Sequence, residues 1–163
     1  NFAECTCLFQ FLIGCIERAR LAGAPIDWIV VGDFPAEFAS RVRDLDDVLT
    51  VTGAYDAEDV GDLLAANKPH LAFFPQHCVE TYSYSLSEAF AADLAVLAPN
   101  IGAFPERVEG VPGCWLYDWQ SSPMEVLQFI QQLREDVFVS GQELAGARPH
   151  AGGLNNVLFE PDF

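Results

Sequence analysis

Two carboxylates with seven residues between them, Glu80 and Glu88, frame the stretch Glu80-Thr-Tyr-Ser-Tyr-Ser-Leu-Ser-Glu88. An ionised carboxylate only accepts hydrogen bonds, so the pair suits a ligand rich in hydroxyls, such as a sugar or a ribose. A Pro-ended apolar strand precedes the stretch and an Ala-rich helix follows it. A helix start presents backbone N–H groups and the positive end of the helix dipole, which together suit a phosphate. Glu80, Glu88 and the turn between them therefore offer the contacts that a nucleotide-sugar asks for. The same residues allow a structural reading. Ser85-x-x-Glu88 is also a capping box, in which Glu88 turns back to the Ser85 backbone N–H and binds nothing else. Spacing alone leaves both readings open for Glu88. Glu80 stands in a loop, where packing is a less natural use of a carboxylate.

The other reactive side chains point to less. Tyr82 and Tyr84 read by default as packing aromatics. His77 and Cys78 are neighbours, but adjacent residues rarely face one site, and no third partner for a nucleophile is apparent. Cys5-x-Cys7 lacks the second Cys or His pair of a zinc site, so no metal is expected. Five irregularly spaced cysteines read as reduced, mostly buried thiols of a cytoplasmic protein. Gly32-Asp33 does not extend into G-x-G-x-x-G, and no Gly-rich run ends in Lys-Ser or Lys-Thr, so dinucleotide and P-loop fingerprints are both missing.

These residues need a scaffold, and the chain alternates strands with helices. Apolar runs at 26–31, 48–52, 70–74, 94–98 and 113–117 read as strands. Helices are expected at 8–21, 35–45, 57–67 (with Asp56 as N-cap), 83–92 and 123–137. Short apolar strands spaced by helices mean βαβ units, hence an α/β, Rossmann-like, three-layer α/β/α domain with a parallel sheet covered on both faces. Ligands of such sheets bind beyond the carboxyl ends of the strands. Gly32, Gly53 and the loops 75–80 and 99–105 all fall there and are expected to converge on one crevice. Residues 1–140 form this domain. From 141 to 163 the pattern fades into Gly, Pro and Asn, which reads as an irregular tail.

With 24 acidic against 8 basic residues the net charge is −16, which repels nucleic acid and anionic membranes. The apolar run 8–16 is too short to span a bilayer, and no secretory signal is visible, so neither an integral membrane segment nor secretion is expected. The chain begins with Asn1 rather than Met, from which we expect an upstream part.

In their order, Val30-Val31-Gly32-Asp33, Val51-Thr52-Gly53, Phe74-Pro75, the Glu80/Glu88 stretch, 88–96, Ile101-Gly102-Ala-Phe-Pro105-Glu106 and Gly113-Cys-Trp-Leu116 resemble the C-terminal domain of family 4 (group 1) retaining glycosyltransferases, which pair two Rossmann-like domains. The resemblance runs from about Ile26 to Arg134. It implies a hexosyltransferase-type enzyme of carbohydrate biosynthesis that moves a sugar from a nucleotide-sugar such as a UDP- or GDP-sugar to an acceptor, with retention. In that family's pattern Glu88 binds the donor ribose, Glu80 lies beside the donor sugar as the catalytic carboxylate, and Tyr82, Ser83, Tyr84 and Ser85 meet the diphosphate through their backbone. Gly53 and Tyr55 border the base, no metal or other cofactor is essential, and an N-terminal domain of the same protein holds the acceptor. Three departures stand out. The segment 1–17 contains no Lys or Arg to neutralise the leaving diphosphate, Ser83 stands where a Gly is usual, and Asp93 and Ala95 replace a usual Gly and Pro. A lone chain of this kind is expected to be inactive. The alternative is a degenerate, non-catalytic relative that serves as a protein-interaction module.

Overall fold

The computed structural model describes residues 2–79, 81–139 and 156–159. Six helices and six strands alternate along them: α1 (Phe2–Leu21), β1 (Asp27–Val30), α2 (Ala39–Arg43), β2 (Leu49–Val51), α3 (Val60–Asn67), β3 (Leu71–Phe73), α4 (Tyr84–Ala91), β4 (Ala95–Pro99), α5 (Phe104–Val108), β5 (Cys114–Tyr117), α6 (Pro123–Leu133) and β6 (Asn156–Phe159). Short 3-10 turns lead into α2 and α3, and a π-helical turn (Arg134–Val139) extends α6. The expected α/β, Rossmann-like parallel architecture is present. Within it α5 is an element that the sequence pattern did not indicate.

All strands join one parallel sheet in the order β2-β1-β6-β3-β4-β5. Alternation along each strand sorts its side chains onto two faces. Trp28, Val30, Leu71, Phe73 and Leu97 face a large core closed by α1 and α6. Ala72, Phe74, Val96 and Ala98 face α4 and α5, while Ile29 and Val31 face α3. Strands buried on both faces explain why these runs are apolar without alternation. Each large side chain fully buried here contributes roughly 1.5–3 kcal/mol of transfer free energy. The start of α6 is fixed by a capping box: Glu125 N–H donates to Ser122 Oγ, and Ser122 N–H donates to Glu125 Oε2. Those hydrogen bonds hold the Glu125 carboxyl below its ordinary range.

Residues 156–159 correct one expectation. They are no irregular tail but a strand in the middle of the sheet, with Val157 in register with Trp28 of β1 and Leu71 of β3. The rest of 141–163 lies outside the described residues. The chain runs outward from β1 to β2, then returns past β1 and runs the other way through β3, β4 and β5. The direction thus reverses between β1 and β3, where β6 sits. That reversal is the topological switch point, beyond whose carboxyl ends open α/β sheets bind ligands.

Candidate functional site

The loops at the carboxyl edge are tied in two groups. On the β1 and β2 side, Gly53 N–H donates to Gly32 O at 2.9 Å and Gly32 N–H to Thr52 Oγ1 at 3.0 Å. Gly53 holds φ at +80°, a conformation that suits the one residue without a Cβ. Tyr55 is half-buried and packs against the Ile29, Val31, Val60 and Leu64 cluster, which keeps its ring beside this loop. On the other side, Tyr117 OH donates to Phe74 O at 2.8 Å, and the Phe74 and Phe104 rings meet at 5.4 Å. The end of β3 is thereby fixed against β5 and α5.

Glu80 lies outside the described residues. The helix start that follows it is defined by Ser83, the N-cap of α4, with φ +63° and ψ 96°. For a residue with a Cβ this region carries about 1–3 kcal/mol of strain. Asp93, just past α4, has φ +55°. Both therefore stand in backbone conformations for which glycine is the ordinary choice. Tyr82 and Tyr84 are not packing aromatics. They are 50% and 76% exposed, with ring centroids 5.1 Å apart, and form a small aromatic surface beside the helix start. Ser85 is buried in the first turn, so any ligand contact from it falls to its backbone.

The capping-box reading of Glu88 does not hold. With the cap at Ser83, Ser85 is already helical, and Glu88 is on the exposed side of the helix. Among the described residues no hydrogen bond or ion pair engages its carboxylate. Glu88 instead lines a groove of about 570 Å³ between α3 and α4, with Gly61, Leu64, Lys68, His70 and Ala92. Lys68 and His70 precede β3, so the groove reaches toward the amino ends of the strands. Its described lining includes none of Gly53, Tyr55, Tyr82, Ser83, Tyr84 or Ser85. The structure thus gathers Tyr82, Ser83 and Tyr84 at one helix start and sets Glu88 one turn further along, on the groove wall.

Three residues enter that were not among the expected site residues, although Gln76 and His77 lie in the loop 75–80 expected at the crevice. Gln76 follows β3 and is 1% exposed, and among the described residues neither its Oε1 nor its Nε2 has a hydrogen-bond partner. Buried amide atoms of this kind cost about 1–3 kcal/mol each and cluster at functional sites. His77 Nε2 is also buried with no hydrogen-bond partner among the described residues, its ring lies edge-on to Phe11 at 4.2 Å, and burial lowers its pKa below the ordinary histidine value. Arg107 of α5 reaches across to the Tyr82–Ser83 backbone. Only their position beyond β3 and β4 in the sequence hinted at any of these.

Two of the thiols, Cys15 and Cys114, are held in their protonated form. Burial pushes Cys15 up to about 12 and Cys114 up to about 11, far from a nucleophile at neutral pH. Among the described residues no group of three His, Cys, Asp or Glu is placed to hold a metal ion, and no helix is long and apolar enough to cross a membrane.

An open parallel sheet with a switch point, and helices on both of its faces, define an α/β domain of Rossmann-like type. A family model described as Glycosyl transferases group 1 matches residues 9–136, and the chain belongs to that family. The match ends before β6. No curated protein and no solved structure matches the chain at a significant level.

Proposed function

We propose that this chain is the donor-binding domain of a retaining, family 4 type glycosyltransferase, with a nucleotide-sugar as its ligand. The observation that carries the reading is Glu88, an exposed carboxylate on α4 that none of the described protein groups engages. A helix cap or a packing residue would be engaged. A carboxylate held open on the helix that follows β3 suits a diol such as ribose. The start of α4 then takes the diphosphate, the exposed Tyr82 and Tyr84 flank it, and Gly53 and Tyr55 border the base across the switch point. Glu80, by the family's pattern, lies beside the sugar. The acceptor belongs to an N-terminal domain of the same cytoplasmic protein, so the chain by itself binds donor without turning it over.

Titration with UDP, GDP and their sugars by calorimetry or ligand-observed NMR tests this. Binding of one nucleotide at sub-millimolar concentration, lost in Glu88→Ala without loss of stability, is the expected result. No binding at millimolar concentration ends the reading. A second reading is favoured by the net charge of −16 and by a segment 1–17 without Lys or Arg. It keeps the fold as a non-catalytic interaction module, and the absence of nucleotide binding with an intact fold is its signature.

A further inference from the structure

Arg107 is the only Lys or Arg between Lys68 and Arg134, so it is the one cation in the part of the chain that builds β3, α4, β4 and α5. It does not point to solvent. Its Nη1 donates to the carbonyl oxygens of Tyr82 and Ser83 (2.7 Å for the latter), and its Nη2 donates to Ser87 Oγ at 2.8 Å. The guanidinium carbon stands 4.4 Å from the centre of the Tyr82 ring and 5.9 Å from that of Phe90. One side chain from α5 therefore grips the residue before the α4 cap, the cap itself and the first turn beyond it. The residue gripped at the centre is Ser83, whose φ of +63° is unfavourable for any side-chain-bearing residue.

We propose that Arg107 is a positioning residue that holds Ser83 in its left-handed conformation and so aims the first turn of α4 at the anionic end of a nucleoside diphosphate. This rests on the donor-binding reading above. Three physical facts connect the clamp to the ligand. A serine at φ +63° relaxes to negative φ unless its surroundings over-determine it, and such relaxation re-aims the N–H groups of the helix start. A guanidinium presents five donors in a planar fork, so it can hold two carbonyls and a hydroxyl together, which an ammonium on a flexible stem does poorly. All three acceptors are neutral, so the clamp leaves a positive charge beside the helix start in a chain that is otherwise strongly acidic. A glycine at position 83 needs no such clamp, because φ +63° costs it nothing.

That last point makes the proposal separable from simple charge attraction. Arg107→Ala is expected to weaken UDP or GDP binding at least tenfold. Arg107→Lys, which keeps the charge and loses the fork, is expected to restore little of it. Adding Ser83→Gly to Arg107→Ala is expected to bring the affinity back to within about threefold of the parent, because the strain that needed the clamp is gone. Recovery by Arg107→Lys with none from Ser83→Gly would overturn the positioning role in favour of a bare charge. An unchanged affinity in Arg107→Ala would overturn it outright.

Amide hydrogen exchange across the first turn of α4 reads the same clamp without ligand. Arg107→Ala is expected to speed exchange there and Ser83→Gly to suppress that increase, while the core strands stay protected. If the parent binds no nucleotide, the donor-site reading fails, and the exchange data still decide the clamp. If exchange at α4 is indifferent to Arg107, the clamp fails whatever the nucleotide does.

Discussion

At the scale of single residues, the identity of Glu88 was legible and its freedom was not. Whether a Ser-x-x-Glu pattern caps a helix or serves a ligand depends on which residue begins the helix, and two positions decide it. The sequence is compatible with a start at Ser85. The structure caps at Ser83, so Ser85 is already inside the helix and the exposed Glu88 makes no capping hydrogen bond. Glu88→Ala is accordingly expected to leave the unfolding free energy within the scatter of a neutral surface change, about ±0.5 kcal/mol, while abolishing measurable nucleotide binding. A loss nearer the ~1 kcal/mol of a cap, with binding intact, would return Glu88 to a structural role. His77 gives a pH prediction of known sign. Burial lowers its folded pKa, so folding opposes protonation. The stability it allows is complete above the ordinary histidine pKa and declines as pH falls through the folded value. Thermal melts of the parent and of His77→Gln between pH 7.5 and 5.5 are expected to show the parent losing ground to the variant as the pH drops. Parallel curves would mean that the folded and unfolded states protonate His77 alike, and so that burial does not depress its pKa.

At the scale of elements, the runs 26–31, 48–52, 70–74, 94–98 and 113–117 were legible because strands buried on both faces must be apolar throughout. The element α5 was not, because Phe104–Val108 is a single turn and a half between Gly102 and Gly110 with a Pro inside it. Its helical form follows from Phe104 and Val108 burying against the Phe74 and Ala98 side of the sheet, a tertiary gain that no local pattern announces. The ends of helices carry stored strain that can be measured. Lys68 closes α3 at φ 48° and ψ 53°, with its N–H on Leu64 O, and its side chain is exposed. A left-handed non-glycine residue costs roughly 1–2 kcal/mol, less the extra backbone freedom that glycine has when unfolded. Lys68→Gly is therefore expected to stabilise the domain by about 1 kcal/mol, while Lys68→Ala is not. Asp93→Gly is expected to gain less, because Asp tolerates this region better than Lys. Urea unfolding of the three variants tests the ranking, and an Ala variant as stable as the Gly variant would remove backbone strain as the cause.

For the whole molecule, the parallel architecture was legible and its middle was not. Asn156–Phe159 is four residues long, isolated from other periodic segments and surrounded by Gly, Pro and Asn, so no pattern marks it as a strand. Its identity as β6 comes from the slot it fills. It is in register with β1 from Asp27 to Val30 and with β3 at Leu71 and Ala72, and joins the two halves of the sheet at the switch point. Without it, β1 and β3 would each present a row of unpaired N–H and C=O groups in the interior, where every unmade hydrogen bond costs about 1–3 kcal/mol. A domain of this kind has only about 5–15 kcal/mol of net stability to lose. A chain ending after residue 139 is therefore expected to lose its cooperative thermal transition and to bind a hydrophobic dye, although it keeps the whole span that matches the family. Its far-ultraviolet circular dichroism is expected to retain helix, since α1 and α6 still pack on one another. A shortened chain that melts cooperatively at the parent's temperature would show instead that β1 and β3 close on each other directly. In that case the segment after 140 is the appendage that its composition suggests.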